Sequence, residues 1–325
     1  MNSVKYHLYQ SYSVSVGTNK RRKHFMLYAF LAILSGMMIS GQSSCNGLLY
    51  PFIGVIAVGF VSQLLNAVTS FFFSLIYFHR PPRLKGLPFY DCFGGVCAMF
   101  VLGFSGYLVA HLGTAVTVCL SVSGQLFMSA IVDHFGWFGS EKVPFKARRL
   151  PGFFCILAGV FVINFAGANT FQGISGRVFL FLLLIFAILV GCVTVFARMF
   201  NFEASKYVGK LDGNFANAGF GSIVSFIIYL ISVKGQLSFS GFASAPALGY
   251  LTGPIGAVSC VLNSLSYAKM KVFHATIFLL IGQISAGILV DLIMYRSFPL
   301  GKLIGILIIC VGIFFDKKYT APKTA

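Results

Sequence analysis

Negative charge is what this sequence has least of: Asp and Glu supply 7 of 325 residues, against 24 Lys and Arg. Charged residues of both signs make up 10% of the chain, where a soluble domain carries about a quarter. So few charges cannot clothe a water-exposed globule, and a composition 58% hydrophobic with a mean hydropathy of +0.88 points to a membrane protein. Motifs of group-transfer chemistry are missing too. There is no G-x-x-x-x-G-K-[ST] loop to cradle nucleotide phosphates, so ATP-driven transport by this chain alone is unsupported. H-E-x-x-H, a close carboxylate pair and a Ser/His/Asp constellation are likewise missing, which argues against an enzyme. The eight Cys lie in or beside apolar runs without Cys-x-x-Cys or Cys/His spacing, so they read as small buried side chains. No cofactor and no metal site are expected. The single Trp137 reads as an interfacial residue.

What is present is a series of long apolar runs. A bilayer core of about 30 Å takes about 20 helical residues, and lipid leaves no water for unpaired backbone groups. Ten segments satisfy this: 25–41, 52–78, 89–109, 114–133, 150–167, 178–199, 214–233, 247–267, 273–295 and 299–315. The expected fold is therefore an all-α polytopic membrane protein of ten transmembrane helices. Residues 1–24, with "NKRRK", read as a basic cytoplasmic tail before a retained first helix, since no small-x-small cleavage site follows. Residues 316–325 read as a second cytoplasmic tail.

Loops numbered alternately from the N-terminus sort the basic residues. One side receives only Arg177, Lys234, Arg296 and Lys302, which leaves 20 of the 24, Arg198 among them, on the other. Basic residues near helix ends are retained in the cytoplasm, so both termini are expected there. The same sorting accounts for the net charge of +17 without a nucleic-acid partner.

One phrase occurs twice. "GQLFMSAIVD" ends at Asp133 and "GQISAGILVD" at Asp291, so Gly124, Gln125 and Asp133 recur 158 residues later as Gly282, Gln283 and Asp291. Gly95 and Gly253 keep the same interval. Two repeats of five helices follow, 25–167 and 178–315. Because five is odd, the second must cross the membrane upside down relative to the first. Oppositely oriented halves that open alternately to either side are a common construction of secondary transporters.

"GQLFMSAIVDHFGWFG" followed by "RRLPGFFCILAGVFVI", with "GQSSCNG" near the end of the first helix, resembles the YdcZ-type inner-membrane exporters of the drug/metabolite transporter (DMT) superfamily. The resemblance is strongest over 90–165. It implies a DMT/EamA-like fold of two inverted five-helix repeats, a bacterial cytoplasmic membrane, and transport of an undefined substrate. The small multidrug transporters of that superfamily rely on a Glu in their first helix, whereas 25–41 contains no acidic residue. Antiport of drugs against protons on such a Glu is therefore not implied.

The expected function is a secondary active transporter that exports a small metabolite by alternating access with ion coupling, the ion being a proton. A lipid flippase and a non-transporting membrane scaffold are the alternatives. Partners would be a small-molecule substrate and membrane lipids, with a homodimer left open. Gln125 and Gln283 lie about 12 Å of helix rise from the Asp nearest the interface, hence near mid-membrane where transporter sites lie. With Gln42, Asn46 and Asn263 they are candidate substrate-binding residues, or else interhelical hydrogen bonds. Asp133, Asp291 and His111 are candidates for coupling or gating. The alternatives are carboxylates paired with nearby Arg148, Arg149 or Arg296, and for His111 a residue of the turn between helices 3 and 4. Pro254 is expected to kink the eighth helix.

Overall fold

The computed structural model describes residues 2–139, 177–235, 240–269 and 272–295, with scattered positions at 151–162 and 304–312. The fifth and tenth expected helices, 150–167 and 299–315, therefore lie almost wholly outside the described residues.

Every described segment is helical or a short connection. The helices are α1 (Asn2–Phe78), α2 (Phe93–Leu112), α3 (Thr114–Phe135), α4 (Arg177–Val208), α5 (Lys210–Ser232), the short α6 (Ser240–Ser244), α7 (Thr252–Lys269) and α8 (Val272–Tyr295). Single 3-10 turns, Phe89–Cys92 and Ala247–Leu251, lead into α2 and α7. Five segments are long and apolar enough to span a membrane: Met26–Phe78, Phe89–Leu112, Val178–Val208, Lys210–Ser232 and Ala247–Ser266. Thr114–Ser129 and Phe278–Ile293 are shorter apolar helices.

The first of these spans 53 residues, about 80 Å if straight and far more than a bilayer core. It is not straight. Gly54 has φ 75° and ψ 172°, a conformation that glycine alone adopts without strain, and Pro51 denies the helix a backbone donor just before it. The chain folds back there, so that Ser62 Oγ donates to Asn46 Oδ1 at 2.8 Å. Residues 26–53 and 55–78 are thus two antiparallel limbs.

Pro254 makes no mid-helix kink. α7 begins at Thr252, so the proline occupies the first turn, where its missing N–H has no intrahelical partner to lose. α4 continues to Val208, nine residues beyond the expected end of the sixth helix.

The packing buries polar side chains beside an apolar core and leaves many large apolar side chains facing outward. Ile76, Val178, Ile231 and Ile293 project outward, while Ser35, Asn46, Ser62, Gln63 and Ser225 are buried. Lipid tails give apolar side chains no reason to hide, so close backbone approach and polar contacts hold the helices together. Glycines make that approach. A Cβ on Gly36 would strike the Leu279 carbonyl, and one on Gly282 the Ile33 carbonyl. A Cβ on Gly191 would strike Ser121, and one on Gly124 the Ile188 carbonyl.

These contacts define directions. α8 runs parallel to the first limb of α1, pairing Ile33 with Gly282 and Ser40 with Gly287. α4 runs parallel to α3, with Ser121 beside Ala187 and Phe138 beside Phe200. α3 and α8, which carry the two copies of the repeated phrase, run antiparallel: Ala115 meets Gly287, while Val118 and Val122 pack with Leu279 and Leu280. The second limb of α1 and α5 are also antiparallel, from the Phe60–Phe226 ring pair to the Ser74–Asp212 hydrogen bond.

Candidate functional site: an amide-lined cavity between the helices

The polar side chains buried by this packing surround a cavity of about 180 Å³. Its wall draws on both limbs of α1 (Gln42, Gln63, Asn66), on α2 (Gly94, Ser105), α4 (Arg198, Asn201), α5 (Asn214, Asn217) and α7 (Ser259, Cys260, Asn263). Carboxamides dominate because each can donate and accept without the cost of burying a charge in a low-dielectric interior.

Many of these groups are tied to one another. Gln42 Nε2 donates to the Thr252 carbonyl at 3.1 Å and Gln63 Nε2 to the Gly95 carbonyl at 2.8 Å. Asn214 Nδ2 donates to Asn66 Oδ1 at 2.8 Å and to Ser70 Oγ at 2.9 Å. Asn201 Nδ2 reaches Cys260 Sγ at 2.8 Å. Two carbonyl oxygens stay unmatched: Asn217 Oδ1 and Asn263 Oδ1 are buried with no hydrogen-bond partner among the described residues. Arg198 is the only charged residue in the described wall. Its Nη1 donates to Gln125 Oε1 at 2.8 Å, which steers the guanidinium from α4 toward α3.

The expected site residues fall into three groups. Gln42 and Asn263 line the cavity, and Gln125 acts one step behind it through Arg198. Asn46 is a buried junction just outside the wall. Its Oδ1 accepts from Ser62 Oγ and from Thr252 Oγ1 (2.6 Å), and its Nδ2 donates to Ser105 Oγ at 3.3 Å, joining both limbs of α1 with α2 and α7. The third group lies elsewhere. Gln283 is buried where α8 crosses the first limb, its Nε2 without a partner among the described residues. His111 belongs to the last turn of α2 rather than to the turn after it. Its Nδ1–H donates to the Tyr107 carbonyl at 2.8 Å, and the ring packs against Tyr50 and Tyr107.

Asp291 has a specific task. Its two carboxylate oxygens accept the backbone N–H of Thr114 (2.8 Å) and of Ala115 (3.1 Å), so a side chain from α8 caps the amino terminus of α3. The positive end of that helix favours a carboxylate. Gly113, at φ 82°, leaves the room: a Cβ there would stand 3.0 Å from Asp291 Oδ2. The side chain of Asp133 lies outside the described residues.

A second buried carboxylate, Asp212, accepts from Ser74 Oγ (2.9 Å), Arg80 Nη1 (2.8 Å) and the Arg83 backbone N–H (3.1 Å). It brings the loop after α1 to the same end of the bundle as the start of α5. Among the described residues, no group of His, Cys, Asp and Glu is arranged to hold a metal ion.

Arg198, Asn201, Asn214 and Asn217 are among the wall residues that the sequence does not mark as a site. With a sixth helix ending at 199, the sequence places Arg198 among the basic residues at helix ends. The longer α4 draws it inward.

Comparison with known proteins agrees with this architecture. No curated protein matches the sequence. A solved crystal structure, 13% identical, aligns over 93% of this chain and 98% of its own with a TM-score of 0.54, a likeness of fold. A family model described as "Putative inner membrane exporter, YdcZ" matches residues 27–162 and again 182–315, one copy for each repeat. With both copies matched on an all-helical chain of apolar spans, this multi-pass membrane protein belongs to the YdcZ family of inner-membrane exporters, of the DMT type.

Proposed function

We propose that the chain is a secondary transporter of ten helices in two inverted repeats, and that the amide-lined cavity is its substrate site. The observation that carries this reading is the composition of the cavity wall: among apolar side chains such as Val101, Leu102 and Phe202, the carboxamides of Gln42, Gln63, Asn66, Asn201, Asn214, Asn217 and Asn263 converge on one space from helices of both repeats. A wall whose hydrogen-bonding groups are mostly neutral carboxamides binds a polar solute yet lets it leave, as transport requires.

The antiparallel packing of equivalent helices supports the inversion. α3 lies against α8, and the second limb of α1 against α5, each pair head to tail. The glycine crossings also repeat in kind, with Gly36 and Gly282 joining first limb and α8 as Gly191 and Gly124 join α4 and α3. Rocking of one half against the other would open the cavity to each side in turn.

The direction is export of a small metabolite, with a proton as the coupling ion. Asp291 is suited to couple protonation to movement, because its cap on α3 bridges the two halves and protonation would weaken it as an acceptor. The test is an untargeted comparison of metabolites inside and outside cells lacking and overproducing the protein. A solute that accumulates outside on overproduction and inside on deletion is expected. Unchanged levels on both sides, with the protein folded and abundant, would favour the scaffold alternative.

A further inference from the structure

The carboxamides of the cavity wall are used unevenly by the protein itself, and the imbalance selects a substrate class. We propose that this cavity binds a small neutral polyol, whose hydroxyls donate to the carbonyl oxygens of Gln42, Gln63, Asn214, Asn217 and Asn263. The inference rests on reading the cavity as the transport site.

The imbalance is one of donors against acceptors. Most amide nitrogens of the wall are already engaged. Gln42 and Gln63 donate to the Thr252 and Gly95 carbonyls, and Asn201 to Cys260. Asn214 donates to Asn66 and Ser70, while Asn217 donates to the Gly213 carbonyl at 3.3 Å. The oxygens are left over. Those of Gln42, Gln63 and Asn214 accept nothing among the described residues, and Asn217 Oδ1 and Asn263 Oδ1 are buried without a partner there. The Asn66 and Asn263 nitrogens likewise donate to nothing among the described residues. A hydroxyl both donates and accepts, so a polyol can satisfy the many oxygens and the few nitrogens together.

The acceptors are held in place by neighbouring helices. Asn201 on α4 bonds Cys260, one turn before Asn263 on α7, and Asn217 Nδ2 approaches Asn201 Oδ1 at 3.5 Å. A Cβ on Gly94 would stand 2.5 Å from Asn217 Oδ1, so the glycine at the start of α2 leaves that oxygen its place.

Charge and size narrow the class. An anion would set its own acceptors against these oxygens. A cation would find no carboxylate in the described wall to balance it, and an unpaired charge is costly to bury. Arg198 takes no part, being engaged by Gln125 and by a further interaction. A donor-free solute would leave the oxygens unmatched, which penalises binding. An apolar cavity of about 150 Å³ accepts benzene, so this one takes roughly six to ten non-hydrogen atoms. That range runs from glycerol to a five-carbon polyol.

The test is equilibrium dialysis of radiolabelled erythritol with the purified full-length protein, with unlabelled glycerate, serinol, dimethoxyethane and mannitol as competitors. Glycerate adds a negative charge and serinol, the amino analogue of glycerol, a positive one. Dimethoxyethane lacks donors, and mannitol exceeds the size range. Saturable erythritol binding is expected, with each competitor weaker than unlabelled erythritol by about tenfold or more. Asn263→Ala should lower erythritol affinity about threefold to tenfold without moving the thermal midpoint, because that side chain makes no hydrogen bond among the described residues. If Asn263→Ala does not fold, Asn217→Ser carries the test with the same loss of affinity. Absence of saturable erythritol binding, a competitor equal to erythritol, or unchanged affinity in the folded variant would each overturn the assignment. Proteoliposome flux separates this from the transporter reading. Movement of glycerate or serinol without erythritol would overturn the polyol class alone, whereas saturable erythritol binding without movement of any probe would overturn transport alone.

Discussion

Asp291 accepts two backbone N–H groups while 2% exposed, so its contribution is that of a charge-assisted cap in a dry setting. Hydrogen bonds to a buried charge are worth about 1.5–3 kcal/mol each. Asp291→Asn keeps one acceptor and turns an amide donor toward the other N–H. It should destabilise the protein by about 1–3 kcal/mol, read as a lower midpoint in thermal unfolding of the purified protein. Asp291→Glu should not preserve the cap, because the longer side chain would carry the carboxylate past the Thr114 and Ala115 N–H groups. If instead Asp291→Asn melts like the parent and loses only its pH dependence of transport, the cap is incidental and coupling is its sole role. Asn46 shows the opposite balance among the amides. It is fully buried and committed to Ser62, Thr252 and Ser105, so it belongs to the scaffold of the site rather than to its binding face.

Helix pairs here are fastened by glycines as well as by interdigitated apolar side chains such as Leu108, Leu120 and Leu184. Gly124 touches the Ile188 carbonyl and Gly282 the Ile33 carbonyl, both backbone atoms that cannot swing aside as a side chain would. Gly124→Val and Gly282→Val should each force the crossing apart at a cost of about 1–3 kcal/mol or more. The expected readout is loss of the monodisperse peak in size-exclusion chromatography. Gly219→Val is the control, since a Cβ there meets nothing within 4 Å. A full yield of folded Gly124→Val would show that α3 and α4 do not approach as closely as described.

The whole molecule makes its own prediction through sidedness. Asp212 binds Arg80 and the Arg83 backbone, so the loop after α1 and the loop before α5 share one end of the bundle. Asp291 meets Gly113 at an end defined by the turn between α2 and α3. Reporters fused after Lys85, Arg149, Lys210, Lys271 and Lys323 should report cytoplasm, and those after Arg177 and Lys234 the exterior. Lys85 and Lys210 form the sharpest pair, because the Arg80–Asp212 contact requires them to agree. Opposite readings from that pair would sink both the inverted repeat and the packing that supports it.

Hydropathy, the placement of basic residues and the recurring "GQ…D" phrase were enough to identify a helical membrane protein built on a duplicated unit. Those signals depend on local sequence alone: apolar length, charge beside a span and an interval of 158 residues. The repeat also held an unread clue. Asn201 follows Asn46 by 155 residues, the interval between the starts of the two matched segments at 27 and 182, and Gly191 follows Gly36 by the same interval. What local sequence could not convey was which polar residues share a cavity. Arg198 looked like an end-of-helix cation until α4 proved longer, and Gln283 looked equivalent to Gln125 until only one of them met Arg198. That Asp291 caps the amino terminus of α3 depends on the antiparallel crossing of α3 and α8 and could not be read from its own segment, while its expected partner Arg296 lies outside the described residues. Hydrophobic periodicity carries no record of which helix lies opposite, because lipid solvates the outward face of a helix whatever its rotation. Only the tertiary crossings decide that, and they are set by glycines whose small size matters solely where another backbone arrives.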